Sequence, residues 1–260
     1  MLLVIDIGNT NTVVGIYRDK QLLESWRLVS SHTRTVDEYW IMVKQLCNSV
    51  NIPTENISDI AISSVVPELT NSFIKMSRIY FGRDPLVVNS SLNLGMNLLV
   101  REPKQIGADR LCNVVAAKQY YQCPLIVVDL GTATTFDVLN AAGDYTGGAI
   151  SPGLVTGSLE LIRRAAQLHE IDLQYPDHII GKTTKEHMQS GIFVGHIAMI
   201  EGIVKRIKGE LGQKDVFVIA TGGLSEDIAK NTKDVNDFNK HLTLTGLRII
   251  FNLNRKEMTI

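Results

Sequence analysis

Apolar residues run almost unbroken from Leu2 to Ile5, stop at Asp6, turn at Gly8-Asn9 and resume in TVVGIY. That pattern predicts a buried strand, a glycine turn and a second strand. QLLESWRLV predicts the third strand of a meander. Thr35 and Glu38 have capping-box spacing ahead of VDEYWIMVKQLCNSV, whose apolar positions recur at helical intervals. ISDIAISSVV then predicts a strand, PELTNSFIKMSRIYF a helix with Pro67 near its start, and PLVVN another strand. Strands alternating with helices imply a βαβ arrangement. The periodicity fades between Leu94 and Ile106, and IGADRLCNVVAAKQYY follows as a helix.

The same order then returns. PLIVVDL, a turn, TTFDVLN and YTGGAI read as strand, glycine turn, strand and further strand. Helices are expected in GLVTGSLELIRRAAQL and from Thr184 to about Gly209, the latter preceded by a second T-x-x-E pattern at Thr183 and Glu186. DVFVIATGG predicts a strand ending in paired glycines, and LTLTGLRIIFNLN a closing helix. Asp6 and Asp129 both begin D-[I/L]-G-x-x-x-T, so the repeat extends to the turn itself. The expected organisation is two α/β domains, 1–118 and 119–260, within the range a chain of 260 residues allows.

Composition narrows the partners. Hydrophobic residues make up 45% and charged ones 20%, an ordinary globular balance, so the chain is expected to fold. Lys plus Arg (26) nearly cancel Asp plus Glu (27), which leaves no global field for nucleic acid or an anionic membrane. No apolar run approaches a membrane span, and the start LLVID lacks the basic region and cleavage site of a signal peptide. Cys47, Cys112 and Cys123 form no CxxC pair and are expected as buried reduced thiols, which points to a cytoplasmic protein.

The chemistry sits in the turns. A glycine two residues after a strand-ending aspartate lets the backbone turn sharply and present N–H and hydroxyl donors into one space, as a phosphate chain requires. The aspartate at its lip can hold a hydrated divalent ion. Two copies at equivalent places are more than hairpin formation needs, since hairpins require turn residues and not the same ones. Neither G-x-x-x-x-G-K-[S/T] nor G-x-G-x-x-G occurs, which excludes the commoner nucleotide loops. There is no H-E-x-x-H, and His187 and His196 are not spaced as a one-face zinc pair. AISPG at 149–153 resembles a nucleophile elbow but has Ala149 where the first glycine belongs, leaving Ser151 as a turn or ligand-contact residue. Asp137 could equally be a polar residue on the solvent face of its strand.

The paired DxG hairpins and the later ATGG at 220–223 resemble the actin, hexokinase and Hsp70 superfamily. DIGNTNT (6–12), GADR (107–110), DLGTATTFD (129–137), GGAISPG (147–153) and GKTT (181–184) together resemble type III pantothenate kinase, from Met1 to the last helix. The resemblance implies two duplicated ribonuclease-H-like (actin-like ATPase) domains, mixed sheets flanked by helices, and a nucleotide in the interdomain cleft. It implies an enzyme that uses ATP to phosphorylate pantothenate to 4′-phosphopantothenate, the first step toward coenzyme A, and acts as a homodimer. The ATP loop would be Asp6, Ile7, Gly8, Asn9, Thr10, Asn11, Thr12 and Val13, with Thr132 a second contact. Asp6 would meet Mg²⁺ or another divalent cation through water, and Asp129 would ligate a monovalent cation, K⁺ or NH₄⁺. Gly107, Ala108, Asp109 and Arg110 would line the pantothenate pocket with Thr184, and Asp109 would be the general base.

Asp109 also stands at a helix start, where a carboxylate is favoured without any catalytic role, and Arg110 could be a surface ion pair. Two positions depart from the family pattern: Val100 where a tyrosine that contacts substrate is common, and Thr183 where GKNT has asparagine. The contrasting reading is a non-catalytic regulatory protein on the same fold. The joint presence of Asp6, Asp109, Arg110 and Asp129 argues against it.

Overall fold

The computed structural model describes residues 1–255, which fall into two compact units. The first comprises Met1–Gln119 and the segment that begins at Leu242. Strands β1 (Leu2–Ile7), β2 (Asn11–Arg18) and β3 (Gln21–Val29) form an antiparallel meander. Helix α1 (Val36–Ser49) leads to β4 (Asp59–Ser64), which lies parallel beside β1. Helix α2 (Pro67–Met76) leads to the short parallel strand β5 (Leu86–Val87), and α3 (Ala108–Tyr120) follows. The sheet order is β3-β2-β1-β4-β5.

Both faces of β1 are covered, which is why its sequence is continuously apolar rather than alternating. Leu3, Ile5 and Ile7 pack with Val14, Tyr39, Val43 and Phe73, from β2 and helices α1 and α2. Leu2 and Val4 face the other way, toward Tyr17, Ala61 and Leu111. Helix α1 starts where the capping box predicts: Glu38 N–H donates to Thr35 Oγ1 (3.3 Å) and Thr35 N–H to Glu38 Oε2 (2.7 Å). Helix α2 carries Pro67 at its first turn and continues into a π-helical turn at Ser77–Phe81.

The second unit, Tyr120–His241, repeats the plan. Strands β6 (Leu125–Leu130), β7 (Ala133–Leu139) and β8 (Tyr145–Pro152) form its meander, followed by α4 (Leu154–Arg164). Helices α5 (Thr184–Gln189) and α6 (Gly195–Glu210) replace the single long helix expected there, because a π-helical turn, Ser190–Val194, separates them. Then come β9 (Phe217–Gly222), parallel to β6, the short helix α7 (Ser225–Lys230) and the short strand β10 (Asp237–Phe238). The order β8-β7-β6-β9-β10 matches that of the first sheet strand for strand.

Three further expectations change. The closing helix α8 (Leu242–Asn254) belongs to the first unit, so residues 119–260 do not hold together as one domain. Its Leu244, Leu247, Ile250 and Phe251 join the cluster of Leu2, Val4 and Leu111. Thr243 Oγ1 also donates to Asn113 Oδ1 (2.8 Å). Second, the repeated turns are offset. Ile7 pairs with Thr12 but Leu130 pairs with Thr134, so the second loop is one residue shorter and the counterpart of Thr12 is Thr134, not Thr135. Third, Asp137 is fully buried, accepting from Tyr145 Oη (2.9 Å) and Thr135 Oγ1 (3.2 Å), and is not a solvent-face residue. No helix among the described residues is long and apolar enough to cross a membrane.

Candidate active site

Each central strand ends in an aspartate, a buried aliphatic residue and a glycine, and each hairpin is closed by the same bond. Gly8 N–H donates to the Asn11 carbonyl and Gly131 N–H to that of Ala133, both at 3.0 Å. In the first loop Asn9 and Thr10 are exposed, while Gly8 and Asn11 are half-buried. Ile7 is buried and offers only its backbone, with its carbonyl accepting Val65 N–H at 3.1 Å. Val13 stands opposite Asp6 in the ladder. Thr12 faces inward, its Oγ1 2.9 Å from Ser30 Oγ, and Ser30 Oγ donates to the Gly8 carbonyl at 2.7 Å. Ser30 therefore pins the loop from behind. No motif marked it, because its role follows from strand register alone.

Asp109 lies in the first turn of α3. The helix-start alternative is partly realised, since Arg110 N–H donates to Asp109 Oδ1 at 2.8 Å. The carboxylate is nevertheless not an ordinary cap. Burial pushes its pKa above the usual carboxylate value, against the opposing pull of the Arg110 N–H and then the Arg110 charge. Gly107 makes this placement possible, because a Cβ there would run into the Asp109 carboxylate. One turn on, Cys112 is fully buried, and its thiol pKa is raised well above normal by burial first, then by the charges of Asp6 and Asp109. The charges of Asp6, at the end of β1, and of Asp109, at the start of α3, thus both act on the Cys112 thiol. Ser63, opposite Asp6 on β4, is fully buried at the same place.

In the second loop Gly131 and Thr132 are exposed, and the Thr132 carbonyl is held by Gly153 N–H (3.1 Å) and Thr156 Oγ1 (2.7 Å). Asp129 sits at the lip, opposite Thr135 and Thr221. Gly222, the first glycine of ATGG, has φ +93°, and a Cβ there would lie 2.6 Å from the Leu130 carbonyl oxygen and 2.8 Å from Asp129 Oδ1. A carboxylate and a carbonyl oxygen therefore converge on a cradle that only glycine leaves open. Among the described residues no three His, Cys, Asp or Glu side chains gather as a metal site. A divalent ion at Asp6 would rest on one carboxylate, water and phosphate oxygens, which is how Mg²⁺ is commonly held beside a nucleotide.

The remaining predicted residues are separately placed. Thr184 is exposed at the start of α5, and Thr183 caps that helix, its Oγ1 accepting Glu186 N–H at 3.3 Å. Threonine thus does there what asparagine would do as an N-cap. Val100 is half-buried in the irregular segment before α3, and Ala108 is buried in its first turn. Ser151 Oγ donates to Met199 Sδ at 2.9 Å, which ties the end of β8 to α6.

The fold has solved relatives. Component A of the (R)-2-hydroxyglutaryl-CoA dehydratase of Acidaminococcus fermentans superposes with a TM-score of 0.57 at 12% identity, covering 98% of both chains. The inorganic polyphosphate/ATP-glucomannokinase of Arthrobacter sp. strain KM superposes with a TM-score of 0.51 at 14% identity, again covering 98% of each. These likenesses establish the duplicated ribonuclease-H-like, actin-like ATPase fold. The type III pantothenate kinase of Geotalea uraniireducens (strain Rf4) is 45% identical over 256 residues, 98% of this chain and 100% of that protein. The family model for type III pantothenate kinase matches residues 2–206, which include both aspartate loops, GADR and GKTT. With a relative of that identity matched end to end, the chain belongs to the type III pantothenate kinase family.

Proposed function

We infer that this chain transfers the γ-phosphoryl group of ATP to the primary hydroxyl of pantothenate, with Asp109 as general base. The product is 4′-phosphopantothenate, on the route to coenzyme A. The observation that carries the catalytic assignment is the burial that makes Asp109 more basic at the start of α3, where its charge and that of Asp6 both act on Cys112. A primary alcohol is a weak nucleophile. As its oxygen bonds to the γ-phosphorus and the bond to the ADP oxygen breaks, its proton passes to the Asp109 carboxylate. The loop from Asp6 to Val13 takes the phosphates, with Thr132 a second nucleotide contact. Val100, Gly107, Ala108, Arg110 and Thr184 line the pantothenate pocket, where a guanidinium suits the substrate carboxylate. A divalent ion bound with ATP, reached by Asp6 through water, neutralises phosphate charge.

A monovalent cation, K⁺ or NH₄⁺, fits the Asp129 carboxylate and Leu130 carbonyl at the Gly222 cradle. The working form is a homodimer, and the absence of a disulfide at Cys47, Cys112 and Cys123 suits the cytoplasm. A regulatory protein without activity is disfavoured, since every carboxylate the reaction calls on is retained.

ADP release coupled to pantothenate addition tests both assignments. Wild-type protein is expected to turn over with K⁺ or NH₄⁺, and Asp109→Asn to lose about 10²- to 10⁴-fold in kcat while still binding ATP. Full activity in Asp109→Asn removes the base. Asp129→Ala is expected to abolish the difference between K⁺ and Na⁺ buffers, and a preserved difference moves the cation elsewhere.

A further inference from the structure

The two units brace equivalent loops differently. In the first, buried Thr12 is held by Ser30. Strand register makes Thr134 the counterpart of Thr12, and Gly153 the counterpart of Ser30, since Asn11 pairs with Val29 and Ala133 with Pro152. The backbone half of the brace is kept: Ser30 N–H donates to the Thr10 carbonyl at 3.0 Å, and Gly153 N–H to the Thr132 carbonyl at 3.1 Å. The side-chain half cannot be. With one residue fewer, the second loop closes so tightly that a Cβ at 153 would lie 2.6 Å from the Thr132 carbonyl oxygen and run into that of Gly131. Only glycine fits, and no hydroxyl can be presented there.

Thr134 is fully buried all the same, and a buried hydroxyl requires a partner. The partner comes from another element: His196 Nε2 lies 3.0 Å from Thr134 Oγ1. His196 is the second residue of α6, directly after the π-helical turn at Ser190–Val194. The extra residue in such a turn rotates the following helix by about 100°, so the turn selects which side chain meets β7. A pocket of about 280 Å³, lined by Ser151, Leu154, Ser158, Ile192 and Met199, flanks the imidazole. Packing is thus open on that side, and the bond to Thr134 is what fixes the ring. Burial also lowers the His196 pKa, which keeps the imidazole neutral at neutral pH.

We propose that His196 is a positioning residue for the reaction, holding the second phosphate loop through Thr134 as Ser30 holds the first. The inference rests on the reading of Thr132 and its loop as a nucleotide contact. It acts on ATP and leaves the pantothenate pocket alone.

Steady-state kinetics with each substrate varied, alongside melting temperatures, test it on the full chain. His196→Phe keeps a ring and removes the hydrogen bond; the KM for ATP is expected to rise about fivefold, near the worth of one hydrogen bond, with the KM for pantothenate unchanged. His196→Gln, whose amide reaches the Nε2 position, is expected to restore most of it. Thr132→Val serves as the reference for the loop itself. If Thr132→Val raises the KM for ATP and His196→Phe does not, the brace is overturned and the loop reading stands. If neither changes it, the loop reading falls and takes the brace with it. A drop in kcat and both affinities that follows the melting temperature, with no rescue by glutamine, also overturns it. Should His196→Phe not fold, Thr134→Ser against Thr134→Val makes the same comparison: serine is expected to keep the wild-type KM for ATP and valine to lose it, and equal values overturn the proposal.

Discussion

Asp109 is held in a state that folding disfavours and that the proposed proton transfer would use. Burial raises its pKa in the folded chain above the ordinary value it has when unfolded. The folded state therefore binds its proton more tightly. Stability from this group is greatest below the unfolded pKa and falls as pH rises through the folded pKa, after which the cost is constant. Asp109→Asn removes that cost. At neutral pH the variant is expected to melt at or above the wild-type temperature while losing its rate, a combination that scanning calorimetry and the ADP assay can read on one preparation. A general base works only when ionised, so kcat/KM is expected to rise with pH along an acid limb centred above the usual carboxylate range. In a variant with Arg110→Gln, the N–H to Asp109 Oδ1 remains but the charge is gone, and the limb is expected to move further up. A limb unmoved by that change would place the titration on another group.

At the scale of elements, glycine marks where backbones approach. Helix α8 crosses α3 at Gly246, where a Cβ would run into the Cys112 backbone. Gly246→Ala is expected to force the helices apart at about 1–3 kcal/mol or more, whereas Gly209→Ala, with nothing within 4 Å, is expected to gain about 0.5–1 kcal/mol. Urea unfolding of the two variants checks both signs. This crossing also shows where sequence reading stops. Strands β1 to β9, the caps at Thr35 and Thr183, and the equivalence of Asp6 with Asp129 are local patterns, and all are visible along the chain. That α8 returns to the first unit depends on which apolar stripe meets which sheet, and LTLTGLRIIFNLN carries no label for its destination. The offset between Thr12 and Thr134 is likewise invisible, because both D-x-G-x-x-x-T strings align perfectly until strand register shows one loop to be shorter. Ser30 and His196 follow from that register, and Asp137 is buried although its strand alternates no differently from a solvent-facing one.

At the scale of the molecule, the second unit displays apolar surface that a soluble monomer has little reason to keep. Strand β8 is the outer strand of its sheet, and Ile150 on it is 66% exposed. Helix α4 follows directly, and the side chains it buries are Leu154 and Ser158. Its Val155 and Leu159, one helical turn apart, are 47% and 48% exposed, and Ile179 and Ile180 add to the exposed apolar surface of the same unit. An uncovered sheet edge beside an outward apolar helix stripe is costly unless another chain covers it. With Lys plus Arg nearly equal to Asp plus Glu, net charge does not oppose the approach of a second copy. Analytical ultracentrifugation is expected to find a dimer at micromolar concentration. Ile150→Glu with Leu159→Glu should weaken it at least about a hundredfold, because two carboxylates would then be buried unpaired against apolar partners. The same variant should keep its melting transition at low concentration, since neither side chain contributes to the core of its own unit. A wild type that sediments as a monomer would leave this surface without its partner and remove the homodimer from the proposed working form.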